Sequence, residues 1–270
     1  MAAPSTGWLE SRWARVDSLL MHARVVANPL PANARPVVLV HGIGISSRYW
    51  TPTAIRLASE FNVAAPDLPG FGRSDKPRHT LDVEELASWL ARWMRAVAMA
   101  PAALIGNSFG CQIIVELAVR HPDVVERIVL QGPTTDPHGN SAWEQFRRWQ
   151  RNNPNEPFTH KIVSVRDYAD CGLRRIWETW MISLRDRIEE KLPHVRVPAL
   201  VVRGSCDPIV PQSWAEEAAE LLPQGELVII PGGRHTINFS SPIEFTRVLR
   251  PFLRSSCKRL AAKVRINPYL

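Results

Sequence analysis

Short apolar runs rich in β-branched residues alternate along this chain with longer stretches whose apolar residues recur every three or four positions. The runs are Pro36-Val37-Val38-Leu39-Val40, Phe61–Pro66, Ala103-Leu104-Ile105, Arg127-Ile128-Val129-Leu130, Pro198–Gly204 and Leu227–Ile230. Continuous apolar runs of this length suit strands buried on both faces of a parallel sheet. Between them, residues 51–60 suit a short helix. Val83, Leu86, Leu90, Met94 and Val97 recur at helical spacing behind Asp82 as N-cap, with Glu84 and Glu85 in the first turn, where the helix dipole favours acids. Cys111–Arg120 reads as a buried helix ending at His121-Pro122, and further helices are expected at 213–221 and at 242–254, the last bent or ended by Pro251. This alternation predicts an α/β fold built on a doubly wound, mostly parallel sheet. Sites in such sheets lie beyond the carboxyl ends of the strands, where the loops 41–44, 67–75 and 106–110 fall.

Two regions break the pattern. Residues 133–194 hold Trp143, Trp149, Trp177 and Trp180 and a turn-rich centre, Asn152–Pro157, and read as a small helical lid inserted after the sixth strand. At the N-terminus, Met21–Ala27 looks like a short strand, and Trp8, Leu9 and Trp13 are expected to pack a helix onto the body. The expected organisation is a core of residues 1–132 and 195–254, a lid at 133–194 and a basic tail at 255–270. The chain shows no internal repeat and no low-complexity segment.

Composition narrows the class. With 270 residues, 45% hydrophobic and 22% charged, the chain is long enough for one large α/β domain with a sizeable core, or for two small ones. No apolar run nears the roughly 18 residues of a membrane span, and no basic start followed by an apolar stretch suggests a secretory signal. Cys111, Cys171, Cys206 and Cys257 are scattered, which points to neither zinc nor a disulfide framework and makes a cytoplasmic setting the expectation. The net charge of +7 hints at nucleic acid, but Arg254, Lys258, Arg259, Lys263 and Arg265 supply five of the seven. A nucleic-acid groove needs a basic face on the folded body, so the tail is read as solvated and nucleic acid is not expected as a partner.

The candidate chemistry centres on Gly106-Asn107-Ser108-Phe109-Gly110, a G-x-S-x-G pattern between a strand and a helix. That turn strains a serine into the open above the sheet, with the N-terminal N–H groups of the helix aimed at it. A serine alone is a poor nucleophile and needs a base within reach and an acid to orient that base. After Ser108 the chain offers Asp207 and His235, each just past an expected strand. Asp136 is the rival acid, and Asp207 has an alternative reading as a turn cap before Pro208. His41 is read as structural. His22, His79, His121, His138, His160 and His194 carry no motif and are expected at the surface or in turns. The lid tryptophans Trp143, Trp177 and Trp180 are candidates for lining an apolar pocket, and Arg174 and Arg175 for holding a substrate carboxylate.

These stretches together resemble the α/β-hydrolase family. The matching motifs are the His41-Gly42 turn, the Asp67-Leu68-Pro69-Gly70-Phe71-Gly72-Arg73-Ser74 loop, the Gly106–Gly110 elbow, the Gly204–Asp207 turn and Gly233-Arg234-His235, within residues 22–132 and 196–253. The resemblance implies Ser108 as nucleophile, His235 as general base, Asp207 as its orienting acid, and an oxyanion hole from the backbone N–H groups of Ile43 and Phe109. There are departures. Cys111 stands where many relatives have glycine or another small residue, and is expected to be a buried core thiol. Thr236 stands where hydrolases of ring-fission products often have tryptophan. A serine at 108, rather than an aspartate, argues against the haloalkane dehalogenase and epoxide hydrolase branches.

The expected activity is that of a serine hydrolase, esterase-like, acting on small to medium carboxylic esters, thioesters or lactones with an apolar part, without metal or organic cofactor. The alternatives are carbon–carbon bond cleavage in vinylogous diketone acids, suggested by Gly106-Asn107-Ser108 and the lid arginines, and a ligand receptor of slow or no turnover on the same fold.

Overall fold

The computed structural model describes residues 9–27, 33–139, 141–152, 156–255 and 265–266. Its strands are β1 (Leu9–Val16), β2 (Leu19–Val26), β3 (Pro36–Val40), β4 (Asn62–Pro66), β5 (Ala102–Asn107), β6 (Val125–Gln131), β7 (Ala199–Gly204), β8 (Gly225–Ile230) and β9 (Arg265–Ile266). They form one sheet in the order β1-β2-β4-β3-β5-β6-β7-β8-β9. The β1–β2 and β2–β4 pairs are antiparallel and the rest parallel.

Successive side chains on a strand point to opposite faces, and here both faces are covered. Val38, Val40, Leu104, Ile128, Leu130 and Val201 pack on one side beneath α2 (Val83–Ala96), α3 (Phe109–Arg120) and α8 (Gln212–Leu221). Val37, Leu39, Ile105, Val129, Leu200 and Val202 pack on the other beneath α1 (Thr51–Leu57) and α10 (Pro242–Arg254). Full burial of each such side chain stabilises the fold by about 1.5–3 kcal/mol. The α2 helix starts at a capping box: the Glu85 N–H donates to Asp82 Oδ1 and the Asp82 N–H to Glu85 Oε2, both at 2.9 Å.

Between β6 and β7 lie α4 (Ala142–Asn152), α5 (Phe158–Cys171), α6 (Leu173–Arg185) and α7 (Ile188–Lys191), within the stretch 133–194 that the sequence suggests is a lid. After β8 comes a short helix, α9 (Ile237–Ser240).

Two expectations are corrected. The N-terminal segment is a strand, not a helix. Its residues 9–16 pair antiparallel with β2 across the two-residue turn Asp17-Ser18, where Asp17 takes a φ of +47°. Positive φ in a two-residue hairpin turn matches the twist of the flanking strands. Trp13 lies edge-on to His22 across the pair, at 4.9 Å between ring centroids; Trp8 is outside the described residues. The basic tail is not wholly solvated either, because Arg265–Ile266 pairs with β8 and covers a sheet edge that would otherwise stand open.

Candidate active site

Ser108 sits between β5 and α3 with φ 55° and ψ −122°, a left-handed conformation that side chains rarely adopt. Its flanking glycines make that turn possible. A Cβ on Gly106 would come within 2.6 Å of the Gly110 backbone, and one on Gly110 within 2.4 Å of the Val40 carbonyl oxygen. The Ser108 side chain lines a cavity of about 1130 Å³.

His235, in the loop after β8, lines the same cavity. Its Nδ1 lies 2.8 Å from Asp207 Oδ2, and both side chains are buried. The other Asp207 oxygen accepts from the N–H groups of Ile209 at 2.8 Å and Val210 at 3.1 Å, which fixes the carboxylate. An ionised carboxylate only accepts, so Nδ1 carries the proton and the Nε2 lone pair is left for another group. Burial acts to lower the His235 pKa, but the charge of Asp207 and its hydrogen bond, with a smaller contribution from Glu156, outweigh it, and the net shift is upward. Among the described residues no hydrogen bond joins Ser108 Oγ to His235; such contacts often tighten only with substrate in place.

The rival acid, Asp136, is occupied elsewhere: it accepts from Arg148 Nη1 at 2.8 Å and from the His138 N–H at 2.9 Å. Ile43 lines the cavity, and the loop that carries it touches the elbow: a Cβ on Gly42 would lie 3.4 Å from Ser108 Cβ. Phe109 opens α3, so its N–H has no acceptor within the helix.

The loops beneath the site are tied by buried polar side chains. His41 donates from Nδ1 to the Gly42 carbonyl at 2.9 Å and accepts the Leu68 N–H on Nε2 at 3.1 Å. Burial lowers its pKa, only partly offset by that carbonyl and by Asp67, so the ring is held neutral. Asp67 accepts from His22 Nδ1 at 2.8 Å, the Ser47 N–H at 2.6 Å and the Arg73 N–H at 2.9 Å. Burial disfavours its charge, but these donors dominate and bring its pKa down to about 2. His22 is thus a buried part of the scaffold, at 1% exposure, not a surface or turn residue. His160 is also corrected: it is buried and lines the cavity.

Trp143, Trp177 and Trp180 line the cavity, joined by Trp149. Arg174 and Arg175 do not. They donate instead to the carbonyls of Arg78, Pro77 and His79, which straps α6 to the loop before α2. Cys111 is fully buried, and burial pushes its thiol pKa well up. Among the described residues no group of three His, Cys, Asp or Glu side chains could hold a metal ion, and no helix is long and apolar enough to cross a membrane.

A further residue of the site escaped sequence reasoning. Gln131, fully buried at the end of β6, donates from Nε2 to the His235 carbonyl at 2.6 Å and accepts from Asn107 Nδ2 at 2.7 Å. It bridges the loop of the imidazole to the residue before Ser108. The signal was a polar side chain closing the apolar run Ile128-Val129-Leu130 at the end of β6.

A serine on a strand–turn–helix elbow, with a His–Asp pair at the same rim of a mostly parallel sheet, defines a class of hydrolase fold. The chain belongs to the alpha/beta hydrolase family, whose model matches residues 37–248, and it is a hydrolase. It is similar to 2-(acetamidomethylene)succinate hydrolase of Mesorhizobium japonicum, 26% identical over 245 residues that cover 81% of this chain and 88% of that protein. It is also similar to pyrrolizixenacetamide deacetylase of Xenorhabdus hominickii, 25% identical over 242 residues, 81% of this chain and 91% of that protein. Among solved structures, a membrane phospholipase A, a bacterial virulence factor, superposes with a TM-score of 0.77 at 23% identity, over 92% of this chain and 86% of that one.

Proposed function

We propose that the protein is a serine hydrolase that cleaves small to medium carboxylic esters, thioesters or lactones with an apolar part through an acyl-enzyme on Ser108. The observation that carries the reading is the buried 2.8 Å pair of His235 Nδ1 and Asp207 Oδ2 at a cavity that Ser108 also lines. His235 Nε2 takes the proton of Ser108 as its Oγ attacks the carbonyl carbon. The oxyanion is assigned to the backbone N–H groups of Ile43 and Phe109, the kind of donors that stabilise developing negative charge. As the bond to the leaving group breaks, His235 returns the proton to it. Water then attacks the acyl-enzyme by the same route and frees Ser108.

The apolar lid lining, with Trp143, Trp177 and Trp180, suits an alkyl or acyl chain. The names of the relatives, a hydrolase of an acetamidomethylene succinate and a deacetylase, favour attack at an acyl-type carbon. The carbon–carbon cleavage reading has weaker support, because Arg174 and Arg175 are turned away from the cavity. The test is turnover of p-nitrophenyl esters of graded chain length. Wild type is expected to turn them over with saturation, and Ser108→Ala to retain less than about one part in 10³. Undiminished turnover by the variant removes Ser108 as nucleophile.

A further inference from the structure

Among the described residues, the large apolar side chains that stand in solvent fall on α4, α5 and α6, with Trp13 and Ile243 as the exceptions. On α5, Phe158, Ile162 and Val165 recur at i, i+4 and i+7, so they form one stripe, each more than half exposed. On α6, Leu173 and Trp177 lie one turn apart and are 83% and 57% exposed. On α4, the rings of Trp143 and Trp149 flank Phe146 at 6.1 and 6.0 Å between centroids. Trp143, Trp149, Val165, Leu173 and Trp177 also line the cavity, so the cavity opens to solvent within this patch. Phe158 and Ile162 carry the α5 stripe beyond the cavity. Contiguous exposed apolar surface of this kind marks a contact with a protein or a membrane.

Charge decides between the two. The three helices carry eight basic side chains against four acidic ones. Each of the four acids is already matched: Glu144 with Arg148 at 2.9 Å, Asp167 and Asp170 with Arg48, and Glu178 with Arg174 at 3.4 Å. Two exposed cations are left over beside the apolar residues. Arg166, one turn from Ile162, pairs with no carboxylate among the described residues. Arg147, one turn from Trp143, comes no nearer than 3.9 Å to Glu144, which Arg148 holds more closely. A two-fold contact with a second copy sets a patch against itself and would bring these cations together. An anionic lipid surface meets them with opposite charge while its acyl region takes up the apolar stripe. Tryptophan, three of the seven exposed apolar residues here, favours that boundary.

We infer that the outer faces of α4, α5 and α6 form a docking surface for a bilayer with anionic headgroups, which sets the mouth of the cavity at the lipid boundary. The contact lies on the membrane and does not span it, in keeping with the absence of a long apolar helix among the described residues. Docking stands apart from the hydrolase reading. Only the passage of an apolar substrate from the lipid into the cavity rests on it.

The experiment is co-sedimentation of the full chain, as Ser108→Ala so that no lipid is consumed, with vesicles of phosphatidylcholine alone or with phosphatidylglycerol. With about 30% phosphatidylglycerol, binding is expected to be roughly twentyfold tighter than to phosphatidylcholine alone. Adding Phe158→Ser/Ile162→Ser should weaken binding to the anionic vesicles roughly tenfold or more. Adding Arg147→Glu/Arg166→Glu instead should bring the two kinds of vesicle to about equal affinity. All four positions are exposed, so circular dichroism should show thermal midpoints close to that of the parent. No binding to either vesicle, equal binding of the parent to both, or undiminished binding of the serine variant each overturns the proposal. So does a dimer in sedimentation velocity that the serine variant loses, which would give the patch to a second copy of the chain. None of these readings depends on Ser108 being a nucleophile, which is tested separately by ester turnover.

Discussion

The sheet and the inserted helices are held in different proportions: apolar burial dominates the sheet, while the inserted helices add polar bonds to a smaller apolar contact through Cys171, Ile176, Ile182 and Ile188. In the sheet, strands carry apolar side chains to both faces, and α2, α3, α8, α1 and α10 close over them. In the lid, Phe158, Leu173 and Trp143 are more than 70% exposed, while Asp167, Thr179 and Ser183 are buried. The lid is attached by polar bonds to the rims of the site. Asp167 on α5 accepts from the Ser46 N–H at 2.8 Å and its hydroxyl at 2.7 Å, and pairs with Arg48. Thr236 donates to Glu156, Gln112 Nε2 to the Ser183 carbonyl at 2.9 Å, and Arg175 to carbonyls at 77 and 79. The difference teaches a division of labour. Non-directional burial fixes where the reactive groups stand. A few directional bonds set where the lid sits, and two of them fall on loops that carry Ile43 and His235.

The comparison can be broken hardest at the proposed triad. Asp207→Asn keeps the shape of the loop but cannot hold the imidazole in the same tautomer. Ester turnover is expected to fall about 10⁴-fold, with the thermal midpoint, read by circular dichroism, within a few degrees of wild type. A fall of less than tenfold would assign the orienting role to another acid.

Next comes the sheet. Leu104, fully buried in β5, packs in the core beneath α2 and α3. Leu104→Ala is expected to cost about 3 kcal/mol in urea unfolding. In the lid, Asp167→Asn removes the charge that pairs with Arg48, and is expected to lower kcat on the order of tenfold as the 41–48 loop loosens. Hydrogen exchange should then quicken in α5 while the amides of β5 stay protected. Equal quickening in both would mean that lid and sheet unfold as one unit. At the small end, Leu173→Ser, at a position 83% exposed, should change stability by less than about 0.5 kcal/mol.

Acid–base behaviour separates site from scaffold. The pKa of His235 is raised, so the free base needed for attack appears only as pH climbs past a value above 6.5. The expected kcat/KM profile rises through that value. The interaction with Asp207 that causes the shift stabilises the fold fully below 6.5 and is lost as pH passes the raised pKa. Asp67 runs the other way: with its pKa lowered from 3.8 to about 2, its contribution to stability is complete above 3.8 and disappears as pH falls toward 2. Activity should therefore fall near neutral pH long before this scaffold gives way in acid.

What was legible in the sequence follows the same division. Val37–Val40 and Val129–Leu130 announce strands because burial on both faces leaves no polar position to confuse the period. Ser108, Asp207 and His235 stand out because each follows such a strand in a turn rich in glycine or proline. The β1 hairpin was hidden because Glu10, Arg12 and Arg15 give an edge strand the polarity of a helix surface. His22 and Asp67 meet across 45 positions, and Glu156 and Thr236 across 80, through contacts that no local pattern records. The lid arginines look like substrate ligands in sequence, and only the fold shows that they clasp a neighbouring loop.

The most direct measurement is intact-mass and peptide mapping after treatment with a fluorophosphonate. Wild type should gain a single adduct on the peptide containing Ser108, and the Ser108→Ala and His235→Ala variants should gain none. An adduct at any other residue, or undiminished labelling of either variant, would contradict the account.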